Sequence, residues 1–317
     1  MAKQVAQNVV GAPPGREREE QPVWGAHERP PTTWWGDVRR RFWRQRLAVA
    51  SAFVLLLLVL IAVMASHIAP YDPLRQFRRE GLTAGGQPVA PNAQFWLGTD
   101  VRGRDLLSRL IWGGRISLGI SLAASSITIG LALVIGGGAG FLGGKTDFFV
   151  MRFVDLMMTV PSFFVMLLLV AMLKPSVWIV IGVISIFGWT YPSRIFRSEM
   201  LSLKERDYIL AARCLGVPRH RIFVRHLMPQ MLSLVIVYLA LSIPGVIFAE
   251  AGLSFLGLGV PPPAPSWGTM IEEGRAYYRA APWLVLFPGT TIMLVVVCFN
   301  LLGNGLREVM DPTRQGQ

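Results

Sequence analysis

The side chains that most often bind metals or carry out catalysis are few in this sequence, and they are widely separated. The chain has four histidines and two cysteines: His27, His67, His220, His226, Cys214 and Cys298. Zinc sites and nucleophilic catalysis need such residues in short, characteristic patterns, for example H-E-x-x-H or G-x-S-x-G, and neither pattern occurs. The sequence therefore predicts no metal site and no catalytic residue in this chain.

One glycine-rich stretch, Gly143-Gly144-Lys145-Thr146, partly matches a phosphate-binding loop. The Walker pattern also needs a glycine at position 139, where this chain has Ala139. A phosphate-binding loop follows a buried strand, whereas this stretch follows an apolar run typical of a membrane helix. We therefore expect no nucleotide or other cofactor to bind this chain.

The composition indicates that membrane spans must position any functional residue. Hydrophobic residues make up 52% of the 317 residues, charged residues only 16%, and the mean hydropathy is +0.46. The net charge of +12 could suggest nucleic acid binding. However, the basic residues cluster beside the apolar runs, as the positive-inside rule requires. The sequence therefore predicts a multi-pass membrane protein that does not bind nucleic acid.

Six apolar runs are long enough to cross a bilayer, which takes roughly 20 helical residues. Their predicted bounds are 47–66, 116–142, 148–173, 177–197, 231–256 and 284–302. The first is too long for a signal peptide and follows a long polar tail without a cleavage site after it, so we expect it to be retained. Proline is expected to kink the third run at Pro161 and to distort the fifth at Pro244.

The chain divides into six segments around these runs. Residues 1–33 are predicted to form a disordered tail, 34–46 a basic amphipathic helix at the membrane surface, and 47–66 the first span. An external loop (67–115), a five-helix core (116–306) and a C-terminal segment (307–317) follow. An even number of spans, with arginines concentrated in 200–229, predicts that both termini are cytoplasmic. The arginines in 67–115 argue weakly against an external position, but long loops follow the charge rule poorly.

The polar segment 200–229 is predicted to contain a helix, a turn and a second helix. Tyr208, Ala211, Ala212 and Leu215 recur at spacings of three and four, so they lie along one stripe of the first helix. Gly216 follows at the position where a left-handed residue ends a helix. Two interpretations remain open: a solvated loop held inside by its arginines, or a docking element for another protein.

Glu250 is the acidic residue that lies deepest in an apolar run. An ionised carboxylate in lipid costs several kcal/mol, so Glu250 is expected to face protein or water. It could contact cargo, or it could form hydrogen bonds between helices, as most polar residues in membrane proteins do.

Several separate stretches resemble one family of membrane proteins. They are FWLGTD-x-x-GRDLLSRL-I-x-G-x-RISL (95–118), MRFVDLMMTVPSFF (151–164), EAGLSFLGLGVPPPAPSWGTMI (250–271), and the pair Ala211-Ala212 followed by Gly216 and Pro229. Together they resemble the C-type permease of the dipeptide, oligopeptide and nickel ABC importers. The chain departs from that pattern at Leu210 and Asn304, where the family commonly has acidic residues.

The resemblance implies an all-α integral membrane protein with six transmembrane helices in the type I ABC importer permease fold. Segment 205–229 would be its cytoplasmic coupling loop, and the bacterial inner membrane its location. Implied partners are membrane lipid, a second, B-type permease, two ABC ATPase subunits that carry ATP and Mg²⁺, and an extracytoplasmic solute-binding protein. The implied coupling residues are Glu205, Asp207, Tyr208, Ala211, Ala212, Leu215, Gly216, Arg219 and Pro229. Candidate pathway or gate residues are Pro244, Glu250 and Trp267.

The resemblance leaves the cargo open among dipeptides, oligopeptides, nickel complexes and other small solutes. An ATP-independent secondary transporter is the alternative from another class. That alternative would predict paired charges within the spans or an internal repeat of broken helices, and the sequence shows neither.

Overall fold

The computed structural model describes residues 34–174 and 176–310, and in this part of the chain every regular element longer than an isolated bridge is a helix. The predicted tail, 1–33, and the end of the C-terminal segment, 311–317, lie outside the described residues. The helices are α1 (Trp34–Arg44), α2 (Arg46–Val63), α3 (Ala65–Ile68), α4 (Leu106–Ala132), α5 (Gly138–Leu142), α6 (Gly144–Thr159), α7 (Ser162–Met172), α8 (Val177–Gly188), α9 (Thr190–Lys204), α10 (Asp207–Cys214), α11 (Arg219–Ile222), α12 (Met228–Phe255), α13 (Trp267–Gly274) and α14 (Trp283–Met310).

Two of the long helices are built from several of these elements. A π-helical segment, Leu133–Gly137, joins α4 to α5, and another, Phe223–Leu227, joins α11 to α12. Each resulting helix, Leu106–Leu142 and Arg219–Phe255, is 37 residues long. A helix of that length rises about 55 Å, which exceeds the thickness of the hydrocarbon core.

The described residues contain four helices that are long and apolar enough to span a membrane: α2, Leu106–Leu142, Arg219–Phe255 and α14. Two bent pairs, α6 with α7 and α8 with α9, raise the number to six if each pair is one span. The all-helical membrane fold that the sequence predicts is confirmed.

Proline has different effects in the two spans where it was expected to act. At Pro161 the chain bends by 79° between α6 and α7, so the third span is broken rather than kinked. At Pro244 the fifth span remains a continuous helix. Pro244 is buried within α12, which packs against α4 and α14, and such neighbours stabilise a membrane helix despite a missing hydrogen bond.

The helix that contains the second span begins at Leu106, earlier than the predicted start at 116. Asp105 caps it, because its carboxylate accepts a hydrogen bond from the Ser108 backbone N–H at 2.8 Å. The preceding connection between α3 and α4 is folded against the helices. Phe95 is fully buried there, with ring centroids 5.2 Å from Phe77 and 6.0 Å from Tyr71.

Small residues allow the helix Leu106–Leu142 to approach α9 closely near its C-terminal end. A Cβ atom on Gly136 would lie 2.0 Å from the Ser193 carbonyl oxygen, and one on Gly140 would lie 2.9 Å from the Arg197 carbonyl oxygen. Both carbonyl groups belong to α9. The small-xxx-small pair in the sequence is therefore the contact surface for the helix that leads to α10.

Candidate functional site

The helix α10 forms the centre of the predicted coupling segment, and its C-terminus is fixed by backbone hydrogen bonds. The Gly216 N–H donates to the Arg213 carbonyl, and the Val217 N–H donates to the Ala212 carbonyl, both at 3.0 Å. Gly216 has φ of 77°, a conformation that glycine adopts without strain. This is the Schellman arrangement, so α10 ends abruptly and the chain turns into α11.

The four small or apolar residues on the predicted stripe of α10 do not share one environment. Tyr208, Ala211 and Leu215 are exposed, and Leu215 reaches 84% exposure. Ala212 is buried beside the fully buried Ile209. Successive residues are about 100° apart on a helix, so the stripe is wide and Ala212 lies on its edge nearest the core. The surface open to a partner is therefore formed by Tyr208, Ala211 and Leu215, which we call the coupling face.

The other residues predicted for coupling lie around this helix. Glu205, Asp207 and Arg219 are exposed, and Pro229 is exposed near the start of α12. The helix Arg219–Phe255 continues through Pro229, which lies two residues after its π-helical segment, Phe223–Leu227.

The inner side of α10 is attached to the long helix Arg219–Phe255. Ile209 and Ala212 belong to the same apolar cluster as Ile222 and Met231 of that helix. In addition, Gln230 Nε2 donates a hydrogen bond of 2.6 Å to the Tyr208 hydroxyl. A displacement of α10 would therefore be passed directly to the helix that carries Pro244 and Glu250.

Glu250 and Trp267 are brought together through a third residue that the sequence did not indicate, Ser117 of α4. Glu250 is only 1% exposed. Its carboxylate accepts hydrogen bonds from the hydroxyl groups of Ser254, at 2.8 Å, and Ser117, at 3.4 Å. The Trp267 backbone N–H donates to the Ser117 hydroxyl at 3.1 Å. In this conformation the contacts of Glu250 are therefore hydrogen bonds within and between helices, the second of the two roles considered for it.

The indole of Trp267 is held in a slot on α4. It is 2% exposed, and its Nε1–H donates to the Leu110 carbonyl at 3.1 Å. A Cβ atom on Gly113 or Gly114 would come within 3.3 Å or 3.1 Å of the indole ring. The glycine pair therefore makes room for Trp267, and α13 is fixed to α4 at this point.

A charge network holds the other end of α13, and only part of it can be recognised from local sequence. Arg104 contacts Asp100, with 2.5 Å between Nε and Oδ2, and it contacts Glu273, with 3.0 Å between Nη2 and Oε2. Arg109 is ion-paired with the same two carboxylates, at 2.5 Å from Glu273 Oε2. Asp100, Arg104 and Arg109 are buried. The spacing of Asp100 and Arg104 suggests a local pair, but nothing local indicates Glu273.

Two of the arginines that argued against an external position for 67–115 are thus structural. Arg104 and Arg109 neutralise buried carboxylates, so they do not act as topological signals. Within residues 34–174 and 176–310, no group of three or more His, Cys, Asp or Glu residues has the arrangement of a metal site.

The hydrogen bonds of Glu250 lead to a prediction that distinguishes a structural role of this residue from contact with cargo. Glu250→Ala should lower the stability of the purified protein by about 1–2 kcal/mol, because it leaves buried hydroxyl groups without their acceptor. Glu250→Gln keeps an acceptor and should cost less. Thermal unfolding in detergent measures both. If Glu250→Gln abolished transport with no loss of stability, Glu250 would instead contact cargo.

Comparison with known proteins agrees with this architecture. Residues 105–315 match the family described as the binding-protein-dependent transport system inner membrane component, and residues 33–84 match the N-terminal TM domain of oligopeptide transport permease C. The chain is 38% identical to the oligopeptide transport system permease protein OppC of Haemophilus influenzae over 280 residues, 88% of each chain. It is 40% identical to OppC of Mycobacterium tuberculosis over 277 residues, 87% of this chain and 93% of that one.

A dipeptide relative is nearly as similar. The chain is 35% identical to the dipeptide transport system permease protein DppC of Bacillus subtilis over 286 residues, 90% of this chain and 88% of that one. These relatives are transport permeases, and not enzymes. The chain therefore belongs to the binding-protein-dependent transport system inner membrane component family, and it is a membrane-spanning permease subunit of an ABC importer.

Proposed function

We propose that this permease forms half of a translocation pathway for di- or oligopeptides and that ATP hydrolysis on separate subunits drives it through α10. A second, B-type permease would form the other half. Two ATPase subunits would carry ATP and Mg²⁺, and an extracytoplasmic binding protein would deliver cargo. The peptide cargo is supported by the names of the relatives, which are oligopeptide or dipeptide permeases. Nickel or another small solute is the alternative cargo within the same family.

The observation that carries the coupling role is the division of α10 into two sides. One side, the coupling face, is exposed although it is partly apolar. The adjacent side, formed by Ile209 and Ala212, is buried against the helix Arg219–Phe255. An exposed apolar surface on a short, firmly attached helix is typical of a site for a partner protein. This arrangement suits a helix that an ATPase displaces and that passes the displacement on to the helix Arg219–Phe255.

The proposed mechanism is alternating access. Closure of the ATPase pair would move α10, and the shared apolar cluster would carry Arg219–Phe255 with it as a rigid element. That helix reaches Glu250, which is hydrogen-bonded to α4 through Ser117. The movement would therefore change how α12, α4 and α13 pack, at the end of α12 remote from α10. For the ATPases to reach α10, segment 200–229 and both termini would lie in the cytoplasm.

Co-purification tests the assembly. The complex would be extracted from membranes of the native host in mild detergent, and its chains would be identified by mass. Recovery of a second permease and ATPase subunits is the expected result, and a captured binding protein with its bound solute would identify the cargo. Recovery of this chain alone, from a preparation that keeps other complexes intact, would favour the secondary-transporter alternative.

A further inference from the structure

The surface formed by α1 and the first residue of α2 carries arginines that neither the coupling site nor the buried networks use. We call it the α1 arginine surface: Arg39, Arg40, Arg41, Arg44 and Arg46, all of them exposed. Among the side chains that the structure describes, none of the five is in an ion pair. Like charges at this density repel one another, so the surface favours an anionic partner.

The surface lies directly where the chain enters the membrane. Gln45, with φ of −89° and ψ of 86°, ends α1, and the first span begins at Arg46. Trp43 is 68% exposed beside the arginines. Tryptophan next to arginine, just before an apolar span, is typical of the level of the lipid headgroups. This position favours a lipid rather than a soluble protein as the anionic partner.

α1 is also attached to the helix bundle. It contacts α14, and a Cβ atom on Gly305 of α14 would lie within 2.6 Å of both Gln45 Oε1 and Ala48 Cβ. The close approach at Gly305 fixes the start of α2 against the end of α14. The arginines are therefore held in one place relative to the spans, which a site for a particular headgroup requires.

We propose that the α1 arginine surface is a binding site for anionic phospholipid and selects phosphatidylglycerol over a zwitterionic headgroup. A guanidinium group can donate two parallel hydrogen bonds to the phosphate of either headgroup, so the selection comes from net charge. The choline headgroup adds a cation that the arginines repel, whereas phosphatidylglycerol stays anionic, and each juxtamembrane arginine strengthens binding to an anionic lipid surface about fivefold. A purely topological signal needs only the net charge and requires no selection between lipids. Selection between lipids therefore distinguishes a binding site from a topological signal.

Native mass spectrometry of the full complex tests this selection. The complex would be equilibrated in mild detergent with equal amounts of phosphatidylglycerol and phosphatidylcholine, and the bound ratio measured. We expect wild type to retain about tenfold more phosphatidylglycerol. Replacement of Arg39, Arg40 and Arg41 by Gln should bring the ratio close to one, whereas replacement by Lys should keep most of it.

A matched control removes the same charge elsewhere. Arg78, Arg79 and Arg102 are exposed on the connection between α3 and α4, and their replacement by Gln should leave the ratio unchanged. An equal loss of selectivity in this control, or full selectivity in the α1 Gln variant, would overturn the proposal. So would loss of an acidic protein subunit, instead of lipid, from the α1 Gln variant.

Salt provides a second measurement if the α1 Gln variant fails to insert. Raising the ionic strength shortens the Debye length from about 10 Å at 0.1 M to about 3 Å at 1 M. The ratio measured on wild type should then fall several-fold. A ratio that does not respond to salt would contradict an electrostatic site.

Discussion

Ala211→Trp is expected to uncouple transport from ATP hydrolysis while the protein still inserts into the membrane. Ala211 lies at the centre of the coupling face and is exposed, so the new indole meets no packed neighbour within this chain. In the assembled importer it would occupy space where the ATPase surface approaches. Overpacking of this kind costs about 1–3 kcal/mol, which corresponds to a loss of docking of about 5- to 150-fold. Transport into vesicles with a coupled ATPase assay measures the two activities.

Two other residues of α10 serve as controls. Arg213 is exposed on the opposite side of the helix, so Arg213→Trp adds the same bulk away from the coupling face and should leave transport nearly unchanged. Ala212 is buried, so Ala212→Trp should instead lower the yield of folded protein. Unchanged transport in Ala211→Trp would show that the coupling face does not contact the ATPase.

Arg109→Gln is expected to be the most destabilising of the single changes considered. It removes one of the two cations that face Asp100 and Glu273 and leaves two carboxylates close together in a buried site. Breaking a buried ion pair from one side costs about 3–5 kcal/mol. Thermal unfolding of the purified protein measures the loss of stability. In addition, α13 should become more accessible to proteolysis, because the ion pairs of Glu273 hold α13 to the connection between α3 and α4.

The neighbouring Arg102 offers the matched control. Its side chain is exposed, and only its backbone N–H bonds to Asp100, so Arg102→Gln should change stability by less than about 0.5 kcal/mol. Removing Arg109 and Glu273 together should cost less than the sum of the two single changes, because each single change already breaks the ion pair between these two residues. Equal stability of Arg109→Gln and Arg102→Gln would contradict the account of this network.

The comparison of Pro161 with Pro244 shows what the sequence alone can and cannot predict. Each proline lies within a long apolar run, and local pattern predicts a distortion at both. The structure breaks the helix at Pro161 and continues it through Pro244, because α4 and α14 pack around the second site. The number and approximate position of the spans depend on composition and can be predicted, whereas the effect of a proline depends on neighbours that are distant in sequence.

In the candidate site, too, local sequence predicts some features, whereas others depend on residues that are distant in sequence. The helix α10, its end at Gly216 and the burial of Glu250 within protein all follow from local rules of helix termination and of charge in membranes. The burial of Ala212 depends on which edge of α10 meets Ile222 and Met231, and the sequence pattern does not contain that information. The hydrogen bonds of Ser117 and the ion pairs of Glu273 likewise join residues more than a hundred positions apart.

Site-specific photocrosslinking at position 215 tests whether α10 docks on an ATPase subunit. Leu215 is 84% exposed at the end of the coupling face, so a photoreactive benzophenone side chain in its place would reach a docked partner without disturbing this chain. We expect a crosslinked product with the mass of this permease plus one ATPase subunit, and little product from the same side chain at position 213. A complex that co-purifies with its ATPases but gives no such product from position 215 would contradict the assignment of α10 as the coupling helix.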